Sequence, residues 1–411
     1  MKISVLSDLH FGYAYNSELE NDSFDNAEEA IDKALESDLI LICGDVFDIR
    51  APKTPTWARA LRILSKPLLK ENKGIKLISS SKELKEISKR TLSHTPVIAI
   101  HGNHERLMKG EQNTVEALEN AGILIHLHLN TIVFEKDGIK VAIHGMSSVP
   151  ERYAKDVLYQ WNPQPVKDRF NILVFHQNIE PFVYSPIEPP SLNISNLPKG
   201  FDMIIDGHIH THTMEQLGNV KLVIPGSTMI TQFQRTEAEI EKSIVQLVVG
   251  KDASIDFIPL ETARKFYYEE IKLNGIPFQD IAEKKVNDIL FSKNFPKKPV
   301  IRMKLTGTQV VNDKEIESAR DKFSNKAVLV FAKEFESPEL TSSIELLQNL
   351  KEQKLSIEEI GLTLLKKNLD ELGFKSAFDY NDMFHLLSEG ETEKVFNILV
   401  GEQKSLTQFG R

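Results

Sequence analysis

The chain of 411 residues is 41% hydrophobic and 27% charged, the composition of an ordinary globular protein. At roughly 100 to 200 residues per domain, this length predicts two or three domains. The formal charge of −9 excludes a histone-like polycation and, taken alone, argues against a nucleic-acid partner. The single cysteine, Cys43, excludes a disulfide framework and a cysteine-rich zinc module.

The sequence carries no pattern typical of export or membrane insertion. The N-terminal run is interrupted by Asp8 and His10 too early for a signal peptide. No apolar run approaches the roughly 18 residues of a membrane span. Together with the lone cysteine, these observations lead us to expect a cytoplasmic protein with no membrane partner.

The first half of the chain alternates short apolar runs with amphipathic stretches. Five runs rich in Ile, Val and Leu are typical of buried strands: Ile3–Leu6, Leu39–Ile42, Val97–Ile100, Ile172–Phe175 and Met203–Ile205. Helical periodicity predicts helices at about residues 21–36, 56–69, 82–92 and 113–121. The turn Lys136–Gly138 between two apolar runs indicates a β-hairpin. The pattern predicts an α/β fold with a layered core.

The pattern changes near residue 263. Alternating strands and helices predict a small α/β cap over 263–333, and helical periodicity predicts a helical region over 334–402. We therefore divide the chain into a first domain over 1–262, the cap, the helical region, and a flexible tail over 403–411.

Polar clusters follow the five apolar strands at the point where each strand ends. They contain carboxylates, imidazoles and an amide: Asp8 and His10; Asp45 and Asp48; Asn103 and His104; His176; and His208 and His210. Because ligands gather at the carboxyl ends of strands in α/β sheets, we expect these clusters to converge at one edge. This set of donors suits Mn²⁺, Fe²⁺ or Zn²⁺ at a catalytic site.

In this order, the motifs DxH, GDxxD, GNH, H and GHxH resemble those of the calcineurin-like metallophosphoesterases. The resemblance implies a two-sheet sandwich flanked by helices and two metal ions bridged by Asp45. It assigns one ion to Asp8, His10, Asp45 and His210. It assigns the other ion to Asp45, Asn103, His176 and His208. It also implies that His104 is the catalytic histidine.

The motifs leave the substrate open between DNA and the substrates of a metal-dependent phosphatase or phosphodiesterase that acts on protein or small molecules. Protein serine/threonine phosphatases share several of the motifs, and this chain also has their nearby Arg50 and Glu105. The layout of the whole chain resembles more closely the archaeal double-strand-break repair nucleases, the SbcD-like partners of a coiled-coil ABC ATPase. That resemblance implies a Mn²⁺-dependent nuclease with 3′–5′ exonuclease activity on duplex ends and endonuclease activity on single strands. Its partners would be DNA ends, the ATPase and a second copy of the chain, and it would be associated with the nucleoid.

The chain departs from these nucleases at Asp48, where the family commonly has a histidine associated with exonucleolytic processing. We expect the Asp48 carboxylate to orient a ligand histidine from behind, or its presence to weaken exonuclease activity. The segment between residues 70 and 93 is also longer than the family usually needs, and its charge pattern predicts a solvated helix.

The cap changes the argument from charge. Residues 263–333 contain fifteen Lys or Arg and nine Asp or Glu, a net charge of +6 in a chain of net charge −9. We expect Lys297, Lys298 and Arg302 to contact DNA phosphates. A lysine-rich face that serves only solubility is the alternative.

Three further expectations concern partners. Apolar stripes in the helical region would dock on the ATPase coiled coil, unless they pack into a compact subdomain of their own. Trp57 would anchor a homodimer, with packing on its own sheet as the alternative. Gln403, Leu406 and Phe409 are spaced like a sliding-clamp-binding box, although Gly410 interrupts the usual pair of aromatic residues.

Overall fold

Two β-sheets that face each other form the centre of the first 262 residues. The structure is a computed structural model, and it describes residues 1–107, 110–183, 191–273, 275–291, 295–307, 311–335, 357–371, 379–388, 394–396 and 398. One sheet has six strands in the order β15-β14-β1-β2-β4-β5, and the other has seven in the order β12-β13-β11-β8-β7-β6-β3. The strands, numbered in chain order, are β1 (Lys2–Leu6), β2 (Leu39–Cys43), β3 (Lys76–Ser80), β4 (Val97–Ile100), β5 (Ile125–His126), β6 (Asn130–Lys136), β7 (Ile139–Met146), β8 (Phe170–Phe175), β9 (Ile179–Glu180), β10 (Leu192–Asn193), β11 (Met203–Asp206), β12 (Thr213–Leu217), β13 (Val220–Ile224), β14 (Ser243–Val249) and β15 (Ala253–Pro259).

Helices cover the outer faces of both sheets. In the first 262 residues they are α1 (Asp22–Ala34), α2 (Thr54–Leu64), α3 (Lys89–Ser93), α4 (Thr114–Asn120), α5 (Glu151–Trp161) and α6 (Arg235–Glu239). Apolar side chains of α1 and α2 pack on the six-stranded sheet, and Ala154 and Leu158 of α5 pack on the seven-stranded sheet. The expected α/β fold, a sandwich of two sheets flanked by helices, is therefore confirmed.

The central strands are mostly apolar because their alternate residues are buried on opposite faces of the sheet. In β1, Ile3 and Val5 face the opposite sheet, where they join a cluster that contains Ile172 and Val174 of β8. The next residue, Leu6, points the other way and packs with α1 and α2. A strand that is buried on both faces has few positions for polar side chains until it ends, and the buried Ser4 of β1 is tolerated because its hydroxyl is hydrogen-bonded to that of Ser37.

One predicted helix is wrong. Residues 76–80 form β3, which pairs antiparallel with β6 at the edge of its sheet. Two short helical segments, Leu84–Glu86 and Lys89–Ser93, follow it in place of one helix over 82–92. The charge pattern correctly indicated exposure, but pairing with β6 depends on a distant segment and leaves no local helical signal.

The cap has its own sheet and two helices. Strands β16 (Phe266–Leu273), β17 (Val300–Gly307) and β18 (Val328–Phe335) form a three-stranded sheet with β17 in the middle. Helices α7 (Phe278–Phe291) and α8 (Asp313–Phe323) connect these strands. By its internal contacts, the chain divides into residues 1–305 with 311–333, and residues 306–310 with 334–411. The cap thus shares a unit with residues 1–262, and its status as a separate domain stays a proposal.

Buried and partly buried ion pairs join the cap to α1. Arg264 donates from Nε to Asp22 Oδ2 at 2.6 Å and from Nη2 to Asp22 Oδ1 at 2.9 Å. The same guanidinium donates from Nη1 to the carbonyl oxygen of Lys298 at 2.6 Å. Both side chains of the Arg264–Asp22 pair are only 8% exposed. This two-point geometry fixes the start of the cap on the first domain.

The second unit contributes two described helices, α9 (Ile357–Glu371) and α10 (Tyr380–Ser388). They approach closely at Gly361, where a Cβ atom would lie 2.7 Å from Cζ of Phe384. From residue 357 onward the described residues of this unit include these two helices, and its role as a separate helical region stays a prediction. Among the described residues, no helix is long and apolar enough to cross a membrane.

The Arg264–Asp22 pair generates a stability prediction. Arg264→Met removes the two-point partner of the buried Asp22 carboxylate and leaves it with Lys297 Nζ at 3.6 Å, so we expect the free energy of unfolding to fall by about 3 kcal/mol. Lys265→Met is the matched control, because Lys265 pairs with Glu241 while 55% and 68% of their side chains are exposed. Its loss should stay below about 1 kcal/mol. Urea unfolding, followed by the fluorescence of Trp57 and Trp161, measures the free energy of unfolding of both variants. Equal losses of stability in the two variants would contradict the structural role of the Arg264–Asp22 pair.

Candidate metal centre

The carboxyl ends of five strands meet at one edge of the sandwich. Strands β1, β2 and β4 are parallel neighbours in one sheet, as are β8 and β11 in the other. The Ser7 hydroxyl joins the two sheets at this edge, where it lies 3.2 Å from the carbonyl oxygen of Cys43 and 3.0 Å from that of Gly207. The five polar clusters that follow these strands are therefore brought together as expected.

The backbone is strained at three of the clustered residues. Asp8, His10 and Asp45 have φ angles of 52°, 44° and 46°, in the left-handed region that side chains with a Cβ rarely adopt. Such conformations cost of order 1–3 kcal/mol each and concentrate at functional sites. Here they turn the chain sharply at the ends of β1 and β2, so that the side chains point into the junction.

Asp8, His10 and His210 form the first group of donors. Their ligand atoms lie within 4.8 Å of one another, and all three side chains are buried. The Nε2 atoms of His10 and His210 are 3.2 Å apart, and His210 Nε2 lies 3.3 Å from Asp8 Oδ1. Two nitrogens bound to one ion at 2.0–2.1 Å with a tetrahedral angle would be about 3.3 Å apart, so this spacing fits a shared ion.

His176, Asn103 and His208 form the second group, with Asp45 beside it. His176 Nε2 lies 3.3 Å from Asp45 Oδ2, 3.1 Å from Asn103 Oδ1 and 3.4 Å from His208 Nδ1. The other ring nitrogen of His176, Nδ1, donates to the carbonyl oxygen of Cys43 at 2.7 Å. This bond selects the tautomer in which the Nε2 lone pair faces the group.

Asp45 connects the two groups. Its Oδ2 atom is 3.3 Å from His176 Nε2 in the second group and 3.9 Å from His10 Nε2 in the first. The loop after β4 packs tightly against this carboxylate, because a Cβ atom on Gly102 would lie 2.0 Å from Asp45 Oδ1. Only glycine therefore lets the loop after β4 pass this carboxylate.

The buried carboxylates of the site require nearby positive charge. Burial alone would raise the pKa of Asp45, but His176 outweighs it and holds the pKa of this carboxyl far below its usual value. Burial likewise opposes the charged form of His176, yet Asp45 and Asp8 raise the pKa of its imidazole to about 10. Among the described residues, Oδ2 of the buried Asp8 has no hydrogen-bond donor. Two buried carboxylates with a free oxygen and imidazole neighbours fit a divalent cation.

His104 and Asp48 lie at the open side of the first group. His104 donates from Nδ1 to the carbonyl oxygen of Asp48 at 2.6 Å, which leaves Nε2 directed to the site, 3.9 Å from Asp45 Oδ2. At 37% exposure, the His104 side chain is accessible from solvent. The Asp48 carboxylate lies 3.3 Å from Nδ1 of His10, so it contacts a histidine from behind.

Glu105 has a structural role that the motif alone did not reveal. Its buried carboxylate accepts hydrogen bonds from the backbone N–H groups of Phe47 and Gly102, each at 2.8 Å. Burial, together with the nearby Asp45, raises the pKa of Glu105 to about 8. The side chain thereby holds the loops after β2 and β4 together. The adjacent GNH motif was the only sequence signal for it.

The cap residues predicted to contact DNA lie outside this cluster and have partners within the protein. Lys297 Nζ is 2.8 Å from Asp25 Oδ2, and Lys298 pairs with Glu18. Arg302 donates from Nη1 to the carbonyl oxygen of Phe233 at 2.9 Å. Their role in DNA binding stays a prediction, and the geometry gives each of them a second role in seating the cap.

The predicted dimer anchor lies among the described residues, unlike the predicted clamp-binding residues. Trp57 packs on Phe47 with their ring centroids 4.6 Å apart, which is the packing on its own domain that was the alternative to a dimer anchor. The dimer itself stays a prediction. The proposed clamp-binding residues Gln403, Leu406 and Phe409 lie outside the described residues.

The chain is similar in sequence to double-strand break repair proteins. It is 27% identical over 307 residues to the double-strand break repair protein mus-23 of Neurospora crassa, an alignment that covers 66% of this chain and 41% of that protein. It is 27% identical over 235 residues to the DNA double-strand break repair protein Mre11 of Methanopyrus kandleri, covering 53% of this chain and 46% of that protein. The alignments thus span less than half the length of either relative.

A family match covers the part of the chain that carries most of the cluster. The family described as calcineurin-like phosphoesterase matches residues 1–212. This range includes all five strand ends and ends two residues after His210, and it exceeds half of the 411 residues. The chain therefore belongs to the calcineurin-like phosphoesterases.

Proposed function

We propose that this phosphoesterase is a Mn²⁺-dependent DNA nuclease that processes the ends of double-strand breaks. The observation that carries the proposal is the convergence of two groups of metal donors on one carboxylate, Asp45, beside an exposed histidine. The similarity to relatives named as double-strand break repair proteins supports DNA as the substrate. Membership of the family implies a divalent metal, and the donor set favours two Mn²⁺ ions.

The proposed ligand sets follow the two groups of donors. Asp8, His10, Asp45 and His210 would hold one ion, and Asp45, Asn103, His176 and His208 the other. Two ions bound there would supply an activated water and would neutralise charge during in-line attack on phosphorus. The Asp48 carboxylate would orient His10 through Nδ1, so that Nε2 faces the first group of donors.

His104 is proposed to act on the substrate directly. Its Nδ1–H is held by the Asp48 carbonyl, so Nε2 is available to a scissile phosphate at the open side of the site. From there a protonated imidazole donates a hydrogen bond to a phosphate oxygen or transfers its proton to the leaving 3′ or 5′ oxygen. The neighbouring backbone N–H of His104 is bound to Asp45 Oδ1 at 3.0 Å, which ties the histidine to the bridging carboxylate.

The proposed setting includes partners that act outside this site. DNA ends, a coiled-coil ABC ATPase that docks on the helical region, and a second copy of the chain are the partners implied by the resemblance to the repair nucleases. Exonuclease activity on duplex ends and endonuclease activity on single strands belong to the same proposal. The exposed aliphatic Leu387 of α10 is one described side chain available to such an ATPase.

The choice of substrate is tested directly. We expect the protein with Mn²⁺ to cleave end-labelled duplex DNA and to leave para-nitrophenyl phosphate largely intact, because the proposed substrate is a phosphodiester and not a phosphomonoester. Asp45→Asn, which removes the shared ligand, is the control for contaminating nucleases and should be inactive. Rapid hydrolysis of the monoester without DNA cleavage would favour a phosphatase, and metal binding without either reaction would favour a non-cutting scaffold.

The role of His104 is tested by substitution. His104→Gln should lower the rate of DNA cleavage by about 10²–10⁴-fold, the usual contribution of a general acid, because no proton donor then faces the leaving oxygen. Mn²⁺ affinity, measured by titration calorimetry, should stay close to that of the wild type. His94→Gln is the matched control, since the half-buried His94 lies outside the two groups of donors and its ring Nδ1 bonds to the nearby carbonyl oxygen of Arg90. Retained cleavage in His104→Gln would contradict the assignment.

The raised pKa of His176 predicts the pH dependence of metal affinity. A metal ligand must be a neutral imidazole, and with a pKa of about 10 in the metal-free site His176 is protonated below that pH. Binding therefore releases its proton, and Mn²⁺ affinity should rise about tenfold per pH unit between about pH 6.5 and 8.5. Calorimetry in buffers of different ionisation enthalpy counts the protons released.

A matched variant isolates this proton. His176→Gln should bind Mn²⁺ more weakly and with a shallower dependence on pH, because the titrating ligand is gone. A wild-type affinity that does not change with pH would contradict the coupling between Asp45 and His176.

A further inference from the structure

His210 is held at two points by a buried polar network on the side away from the metal donors. Its ring Nδ1 is hydrogen-bonded to the hydroxyl of Thr231, while Nε2 faces Asp8 and His10. Its backbone carbonyl oxygen accepts a hydrogen bond from Nζ of Lys242 at 3.1 Å. The donor atom that faces the metal site is thus set by contacts on the opposite edge of the ring and on the backbone.

An ion pair links these two points. Lys242 Nζ lies 2.8 Å from Glu237 Oε1 and 2.9 Å from the Ser227 hydroxyl, so its three protons have three acceptors including the His210 carbonyl. Glu237 in turn accepts hydrogen bonds from the backbone N–H of Gln232 at 2.9 Å and that of Thr231 at 3.4 Å. The carboxylate therefore fixes the backbone that carries the Thr231 hydroxyl.

The cost of this arrangement argues for a role beyond stability. Glu237 and Lys242 are 4% and 6% exposed, so both charges have been removed from water. The desolvation of such a pair offsets much of its attraction, and apolar replacements of similar volume are often as stable. What the pair supplies that apolar side chains cannot is a set of directed hydrogen bonds to Thr231 and to His210.

We propose that Thr231, Glu237 and Lys242 are positioning residues for His210, and that they set the affinity of the metal ion that His210 binds. Donation from Nδ1–H to the Thr231 hydroxyl leaves the lone pair on Nε2, the tautomer that a metal ligand requires. The ion pair holds the hydroxyl and the His210 backbone at a fixed separation. This inference rests on the proposed role of His210 as a metal ligand.

The test is Mn²⁺ binding, with the free ion counted by its electron paramagnetic resonance signal. Thr231→Val removes the hydroxyl at nearly constant volume and should weaken one Mn²⁺ site by about 10–100-fold while the other keeps its affinity. Thr231→Ser restores the hydroxyl and should return the affinity to within about threefold of the wild type. The double variant Glu237→Gln, Lys242→Met removes both charges together and should weaken the same site.

The chain offers a matched control for general damage. Lys82 and Glu119 form a comparable ion pair, 2.8 Å apart with side chains 11% and 10% exposed, at a site that does not contact His210. Lys82→Met should lower stability without changing Mn²⁺ affinity. If the double variant fails to fold, the comparison of Thr231→Val with Thr231→Ser still decides the matter.

The outcomes separate this inference from the proposed nuclease. Wild-type affinity in Thr231→Val overturns it, as does a loss in Lys82→Met as large as that in Thr231→Val. A wild-type protein that binds no Mn²⁺ overturns it together with the metal assignment. A wild-type protein that binds two Mn²⁺ but cuts no DNA, with one site weakened in Thr231→Val and restored in Thr231→Ser, supports the positioning role while the nuclease proposal fails.

Discussion

Two buried carboxylates, Asp8 and Asp45, impose the constraint on which the rest of the site depends. Both are at most 1% exposed, and both lie at the ends of neighbouring parallel strands in strained backbone conformations. Charges this deeply buried require compensation, which the imidazole of His176 supplies in part and a divalent cation would complete. The fold therefore holds two buried negative charges whose desolvation must be compensated by bound positive charge.

Rigidity in the surrounding sandwich makes this concentration of charge tolerable. The strands that end at the site are buried on both faces, so their ends cannot drift without opening the core. The Ser7 hydroxyl and the Glu105 carboxylate then tie the loops together by hydrogen bonds to backbone groups. Donors from five separate segments are consequently held near one point, which chemistry at a metal centre requires.

The charge of the chain is distributed to serve assembly as well as chemistry. The cap carries a net charge of +6. Two of its cations, Lys297 and Lys298, form ion pairs with acidic residues in or near α1. The segment between β13 and β14 also serves both regions, since Arg302 of the cap binds the carbonyl of Phe233 and Thr231 binds His210. The overall −9 therefore averages an acidic first domain and an acidic helical region with a basic cap. It does not count against a DNA substrate.

The sequence by itself determined the five strands that end at the site, the order of the motifs and the residues that the structure brings together there. This was possible because strands buried on both faces are mostly apolar until they end, and because the polar residue after each end is a local signal. Only the tertiary structure decided that Asp45 stands between the two groups, that Glu105 joins two loops, and that Thr231, Glu237 and Lys242 stand behind His210. It also decided that residues 76–80 pair with β6 and that the cap lysines meet acidic partners. Each of these depends on contacts between segments far apart in the chain, and such contacts leave no periodicity or spacing for a sequence to display.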